Sequence, residues 1–544
     1  MKRTFFLLLA TLLILTELTA CGDSEKSGAG HSFSYTLVGN PDTLDPQLAV
    51  STSAKTVLAN LFEGLFTIDD EGTLQNGIVK EYRISDDGLH YSFDLRTDSF
   101  WYRAVDGLTG YDKDASVHVT AADFVFAFQR IFDPIYESPY REAFSSIKYA
   151  RDIINGKQDP SMIGVYARSD DLLQIDLDKA DSGLLIKLAE TAAFPCNQDY
   201  FQMTKGRYGL DEQSIIGNGS FSMQRWLYDP YGKYNVLQLS RNPLNHAVKK
   251  VFPTDIRFFI EDTDDDSIRI FTEGNTDCCV STRQDLLDDP SASASGSFSM
   301  TLGIIANPES VFGNAPSVLN AMRTALDYSK IPQINDLLPA SGILPPASIL
   351  MNKSCRELIS DVTYRKNNPE QAREMLADAL ASTEQNELPE GKVLVPNGLM
   401  DYSILLSVFQ QWEIALSLHF TLEEVVPAEF EDRLKSGNYT LALCTLTGEN
   451  NTPGSVIERF LSEPYLHCGA QEFLRNCLTD AAQSSELTKT VALFSQAESE
   501  ILKDGCFVPL FYKKRFLISK SGVVDVHFNP FSGQVQFRDA KFFD

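Results

Sequence analysis

The feature that most restricts how this chain folds is its N-terminal segment, which ends at Cys21. Two basic residues precede an apolar run, residues 5–15, that is short for a membrane span. Residues 18–21 read Leu-Thr-Ala-Cys, the pattern of a bacterial lipoprotein signal, in which the cysteine is acylated and the chain is cut before it. The sequence therefore predicts that residues 1–20 are removed and that Cys21 carries the lipid anchor, outside the cytoplasm.

A polar, glycine-containing stretch follows Cys21 and predicts a flexible tether over residues 21–31. The folded part is then expected to start near Ser32. An ordinary secretory signal with a chance cysteine is the alternative, and it also exports the chain. No later segment approaches 18 consecutive apolar residues, so the sequence predicts no second membrane segment.

Composition limits the classes of partner. With 544 residues, 43% of them hydrophobic, the chain is long enough for two or three domains with large cores. Its net charge of −27 argues against nucleic acid, whose phosphates require lysine and arginine. The exterior permits disulfides between the remaining cysteines, and Cys468 and Cys477 are the nearest plausible local pair, although spacing does not reveal connectivity.

Strand and helix signals alternate along the whole chain. Apolar and polar residues alternate over residues 89–95, which predicts a half-buried strand. Thr120 with Asp123 three positions later, and Asn368 followed by Pro369, are typical helix starts. The same reasoning predicts strands over residues 32–38, 392–395 and 439–444, and a helix over residues 402–418. This mixture favours a multi-lobed α/β protein.

Nine short segments occur in a characteristic order behind the lipoprotein signal. They are NPDTLDP (40–46), LFEGL (61–65), LHYSFDLR with FW (89–101), TAADFVFAFQR (120–130), GNGSF (217–221), LSRNP (239–243), EGNTD (273–277), ALDYSKI (325–331) and VPLFY (508–512). Together they resemble the extracellular solute-binding lipoproteins of ABC importers, of the oligopeptide- and dipeptide-binding type. The resemblance covers nearly the whole chain after the signal.

The resemblance implies an α/β fold, a two-lobed clam-shell like that of periplasmic binding proteins, with an extra subdomain inserted in lobe I. The implied segments are lobe I over residues 32–66, 192–297 and 504–544, the inserted subdomain over residues 67–191, and lobe II over residues 298–503. Two crossings, near residues 298–300 and 504–508, would let the lobes close on a ligand by rotation.

The implied function is capture of a solute, a peptide first of all, and its delivery to ABC permease subunits by a monomer anchored through Cys21. In this family an acidic residue in a proline-terminated loop holds the peptide's ammonium. The corresponding residues 446–453 read LTGENNTP here, with Leu, Glu and Asn where the family has Trp, Asp and Tyr. The ligand-binding residues implied are Glu449, Asn450, Asn218, Gly219 and Tyr402.

Each of these assignments has a structural alternative. Glu449 could be a solvated loop glutamate, and Asn218 with Gly219 could form a plain turn. Trp412 lies on the apolar stripe of the predicted helix and is expected in the core. The sequence has no GxSxG, HExxH or Walker A motif, which predicts a protein that is not an enzyme and has no cofactor or metal. The alternative function is a surface lipoprotein of the same fold that acts as a sensor or binds a sugar or metal chelate.

Overall fold

The computed structural model describes residues 30–69, 74–104, 117–181, 183–231, 235–282, 292–350, 353–359, 367–382, 387–484 and 486–543. The predicted signal peptide and the predicted lipidation site Cys21 lie outside these residues. Among the helices of the described ranges, none has the length and apolar character needed to cross a membrane.

The helices begin where the sequence places capping residues. Thr120 and Asp123 form a reciprocal capping box, in which each side chain accepts a hydrogen bond from the backbone of the other, so the helix starts at Ala121. The described α-helices are α1 (Thr52–Leu61), α2 (Ala121–Phe132), α3 (Ala150–Ile154), α4 (Leu184–Lys187), α5 (Gln198–Met203), α6 (Asp264–Thr272), α7 (Pro316–Ala325), α8 (Cys355–Leu358), α9 (Pro369–Ser382), α10 (Tyr402–Leu416), α11 (Pro427–Ser436), α12 (Pro453–Ser462), α13 (Gln471–Ala482) and α14 (Leu487–Asp504).

Strands lie at each of the four positions predicted from the sequence, with ends shifted by up to two residues. The described strands are β1 (Ser32–Val38), β2 (Phe66–Ile68), β3 (Leu74–Asn76), β4 (Val79–Ile84), β5 (His90–Leu95), β6 (Phe100–Trp101), β7 (Val117–His118), β8 (Val165–Ser169), β9 (Leu172–Asp176), β10 (Phe221–Leu227), β11 (Val236–Arg241), β12 (Asp255–Glu261), β13 (Cys278–Ser281), β14 (Ser293–Ala306), β15 (Leu337–Pro339), β16 (Ile349–Leu350), β17 (Lys353–Ser354), β18 (Gly391–Pro396), β19 (Phe420–Val425), β20 (Leu441–Leu446), β21 (Val508–Ser519), β22 (Val523–Val524), β23 (His527–Phe528), β24 (Val535–Gln536) and β25 (Lys541–Phe542).

One large sheet runs through the molecule in the order β10-β11-β12-β1-β13-β21-β14-β20-β18-β19, with β15 attached to β21. The N-terminal strand β1 lies between β12 and β13 and is parallel to both. A separate four-stranded antiparallel sheet, β4-β5-β9-β8, belongs to the predicted inserted subdomain and packs against α2. The strands of the inserted subdomain therefore form no part of the main sheet.

The long strands β14 and β21 connect the two halves of the main sheet. β14 has a bulge between Phe298 and Met300, where the sequence places one crossing. β21 pairs with β15 through Phe511–Lys513 and with β13 through Phe516–Ser519. The second crossing near residues 504–508 and the segment boundaries stay predictions.

The two halves have separate apolar cores. The core of the first half joins β1, the inserted subdomain and the C-terminal tail, where Phe542 stacks on Phe33 with ring centroids 4.6 Å apart. The second half contains two further clusters built around α7, α10 and β20. Trp412 is fully buried there, and its Nε1 donates to the Met322 carbonyl at 2.8 Å, which confirms its predicted place in the core.

None of the described cysteines is joined in a disulfide. Cys506, and not Cys477, is the hydrogen-bonding neighbour of Cys468, because the C-terminal end of α14 folds back against the loop after α12. The hydrogen bond with Cys468, and then burial, raise the pKa of the Cys506 thiol well above its ordinary value. The nearest pair in sequence is therefore not the pair in contact in the structure.

Candidate functional site: a cavity between the two halves

The loop between β20 and α12 is held by hydrogen bonds within the chain. The side chain of Thr452 caps α12, and the Ser455 hydroxyl accepts from the backbone N–H groups of Glu449, at 2.7 Å, and Asn450, at 3.3 Å. Asn450 Oδ1 accepts from the Thr452 N–H at 2.9 Å. These bonds fix the direction in which the Glu449 and Asn450 side chains leave the loop.

Both side chains reach the wall of a cavity between the two halves. One chamber, about 350 Å³, lies against α1, the residues after it and the tail around Asn529. A larger chamber, about 1030 Å³, lies between the inserted subdomain and helices α12–α14. Ile349, Asn450 and Asn451 line both chambers, so the loop forms the wall between them. Volumes of this size suit small ligands that are buried on binding.

A buried ion pair joins the two halves at this loop. Lys55 Nζ, on α1, lies 2.6 Å from Glu449 Oε2, and the Lys55 side chain is only 7% exposed. Arg459 is the second cation near Glu449, at 3.7 Å. Burial alone would lower the pKa of Lys55, but the Glu449 carboxylate raises that pKa above its ordinary value. In turn Lys55 and Arg459 overcome the effect of burial and lower the pKa of Glu449.

Further polar contacts join the two halves across the cavity. Lys187, on α4, lies 2.9 Å from Glu458 on α12 and 3.4 Å from Asp181. Asn450 Nδ2 donates to Glu190 Oε1 at 2.7 Å. The two halves thus meet through charged and polar side chains, which a rotation of the lobes would separate.

Asn218 and Gly219 are placed away from the cavity surface. The Asn218 amide is buried and bonds the backbone of Glu63 twice, accepting from its N–H at 3.1 Å and donating to its C=O at 2.9 Å. The Gly219 N–H donates to the Leu61 carbonyl at 2.8 Å, and a Cβ at Gly219 would lie 2.7 Å from the backbone of residue 62. This turn holds the C-terminal end of α1, so its effect on a ligand is indirect.

Tyr402 is also away from the cavity, which contradicts the expectation that it faces a ligand. It belongs to the apolar core of the second half, and its hydroxyl donates to the Pro396 carbonyl. Neither chamber has Tyr402 in its described wall. The helix start was predicted correctly, but the first turn of α10 packs inward.

A model of the bacterial extracellular solute-binding proteins, family 5, matches residues 73–465. The chain belongs to this family. Of its relatives, the oligopeptide-binding protein AliB of Streptococcus pneumoniae is 30% identical over 279 residues, which are 50% of this chain and 40% of AliB. The family is extracellular by description, so the protein acts outside the cytoplasm, and its relatives are named as binding proteins.

Solved structures establish the two-lobed fold of the family for this chain. The substrate-binding domain of an oligopeptide ABC transporter from Bacillus anthracis superposes with a TM-score of 0.79 at 19% identity, covering 95% of this chain and 99% of that one. The Escherichia coli murein tripeptide binding protein MppA, also 19% identical, gives 0.78 over 95% and 99% of the chains. Its unliganded open form gives 0.61 over 94% and 98%. The present lobes therefore differ in arrangement from that open form.

Several residues of the cavity wall are not predicted by the sequence. Lys55, Lys187 and Glu190 lie on or beside short helices of the first half and belong to no segment that resembles a family motif. A signal existed for Lys55, because it is the one charged residue of α1, whose sequence is TSAKTVLANL. Their partners across the cavity, Glu449, Glu458 and Asn450, come from a distant part of the chain, which no local pattern reveals.

Proposed function

We propose that this protein is a membrane-anchored receptor that captures a peptide between its lobes and delivers it to the permease subunits of an ABC importer. The observation that carries this proposal is the two-chambered cavity, closed by ion pairs between the lobes. Relatives named for oligopeptide binding support the choice of a peptide as ligand. We propose a monomer with a binding role and no catalytic step.

The proposed mechanism follows from the ion pairs between the two lobes. Closing the lobes brings Lys55 to Glu449 and Lys187 to Glu458. In each pair, burial of one charge is costly unless its partner of opposite charge is buried beside it. A ligand that fills the chambers adds apolar and hydrogen-bonding contacts to both lobes and so shifts the equilibrium toward the closed form. A permease that contacts both lobes would then distinguish loaded from empty receptor.

The closure is open to direct measurement. We expect the radius of gyration from small-angle scattering to fall when a peptide pool that raises the melting temperature is added, since binding selects the closed form. The Tyr402→Phe variant, altered only in the core of lobe II, serves as a control that should close in the same way. An unchanged radius at saturation would contradict capture by closure.

The lipid anchor at Cys21 is a separate prediction. We expect the full-length chain expressed in a bacterium to partition with the membrane fraction, and Cys21→Ala to release it, because the thiol is the acylation site. Fractionation and mass measurement of the mature N-terminus check this. Replacing the buried Cys196 by Ala is the matched control and should not release the protein. Equal membrane association of Cys21→Ala and wild type would refute the anchor.

A further inference from the structure

We propose that Glu190 is the residue that receives a positively charged ammonium group of the ligand. Glu190 follows α4 and lines the smaller chamber, directly across from the loop that carries Asn450. This inference rests on the proposed capture of a ligand between the lobes. It assigns the ligand's charge to a different carboxylate from the one that the family's motif marks.

The carboxylates on this wall differ in their partners. Glu449 contacts Lys55 at 2.6 Å, and Glu63 contacts His246 at 2.8 Å. Glu190 accepts a hydrogen bond from the neutral Asn450 amide, and within the part of the chain that the structure describes it forms no ion pair. Glu190 is half-buried in the chamber wall, where a carboxylate without a directly bonded cation is costly, and a ligand ammonium would supply that cation.

The electrostatic surroundings of Glu190 also favour an ammonium group as its partner. Burial first, and then the Glu449 and Glu458 carboxylates, raise the pKa of Glu190 to about 8, while the Asn450 amide and Lys187 act in the opposite direction. The titratable and charged groups that face it are Tyr140, Lys187, Glu449 and Glu458. Closure without a ligand cation therefore favours the protonated acid, whereas closure on an ammonium favours the carboxylate.

The neighbouring amide fixes the acceptor in place. Asn450 Oδ1 is engaged by the Thr452 N–H and hydroxyl, at 2.9 and 2.7 Å, so its Nδ2 is directed at Glu190. The Glu190 carboxylate keeps acceptor capacity toward the chamber after this one bond, since a carboxylate accepts several hydrogen bonds. Asn450 is thus a positioning residue for Glu190, and an ammonium with three donors matches the remaining capacity.

The test compares trialanine, N-acetyltrialanine and an N-acetylated tripeptide with a central lysine at pH 6, by calorimetry. We expect trialanine to bind the wild type about 30-fold or more tightly than its acetylated form, because acetylation removes the charge that pairs with Glu190. Glu190→Gln should abolish this preference. Glu63→Gln, which removes a carboxylate already paired with His246, should keep it. Preference for the lysine peptide over N-acetyltrialanine would place the ammonium on a side chain.

Proton uptake on ligand binding distinguishes a charge-pairing role of Glu190 from a purely structural role. Closing on N-acetyltrialanine at pH 6 should take up about one proton more than closing on trialanine, since Glu190 without a cation has a pKa of about 8. Calorimetry in buffers of different ionisation enthalpy measures this difference. In Glu190→Gln the difference should vanish while the protein remains folded, because glutamine still accepts from Asn450.

Three other outcomes would be decisive. If peptides bind and Glu190→Gln keeps the full preference for a free ammonium, the role of Glu190 is overturned and the receptor function stands. If no peptide binds but cadaverine binds the wild type and not Glu190→Gln, the role of Glu190 stands and the peptide assignment fails. If neither the peptides nor cadaverine bind, both proposals are overturned.

Discussion

Replacing Arg130 by methionine is expected to lower the free energy of unfolding by about 3–5 kcal/mol, because the change leaves Asp45 buried without its cation. The two side chains are 2% and 3% exposed and form a bidentate pair, with Arg130 Nη1 lying 3.0 Å from Asp45 Oδ1. Arg130 also donates to Gln47 Oε1 at 2.8 Å, and its guanidinium lies 4.1 Å from the ring centre of Phe201.

Urea unfolding followed by tryptophan fluorescence measures this loss as a shift of the midpoint at constant slope. The double change Asp45→Asn with Arg130→Met should be less destabilising than the sum of the two single changes, since it removes both charges of one pair. Arg207→Met, which breaks a pair whose arginine is 70% exposed, should cost at most about 1 kcal/mol. Additive single changes would contradict a coupled buried pair.

Breaking the pair between Lys55 and Glu449 is expected to weaken ligand binding by about 2–5 kcal/mol, on the order of 30-fold or more in affinity. The pair joins the two halves in this structure, so Lys55→Met and Glu449→Gln should both remove a contact that stabilises a closed, bound state. The loss should be similar for trialanine and N-acetyltrialanine, because the pair lies within the protein. In the double variant the two losses should not add.

The same calorimetry tests the role that the family resemblance gives to Glu449. If Glu449 binds the ligand ammonium, Glu449→Gln should abolish the preference for a free amine, and Lys55→Met should strengthen amine binding by freeing the carboxylate. Either result would contradict the interlobe role expected here. Lys435→Met, in an exposed pair on α11, is the control and should leave affinity unchanged.

Local signals in the sequence predict the elements of the fold well. The strand over 32–38, the helix start after Thr120 and the helix start at Pro369 all agree with the structure. At each place several local effects favour the same conformation: alternation for a strand, or a cap and a first-turn acidic residue for a helix. The motifs that carried the family resemblance also contact one another, as Asp45 and Arg130 do, so they report packing within lobe I.

The ligand cavity was predicted only in part. The loop that the family resemblance singled out, with Glu449 and Asn450, lies at the cavity wall. Lys55 lies 394 positions before Glu449, and nothing local in the sequence links the two residues. Tyr402 was assigned to the wrong environment because a helix start does not reveal which way its first turn faces. Glycine patterns indicated the turn at Gly219, but not that it contacts α1.

The central position of β1 has a consequence for the order in which the protein folds. This strand precedes the other described strands in the chain, but its parallel partner β12 begins only at Asp255. The aromatic rings that pack against Phe33 of β1 belong to Phe537 and Phe542, near the end of the chain. Contacts so distant in sequence form slowly, after a large loss of chain entropy. Lobe I therefore completes its core only when the last residues are available. If the predicted signal directs unfolded export, this delay would keep the polypeptide competent for translocation until its last residues are made.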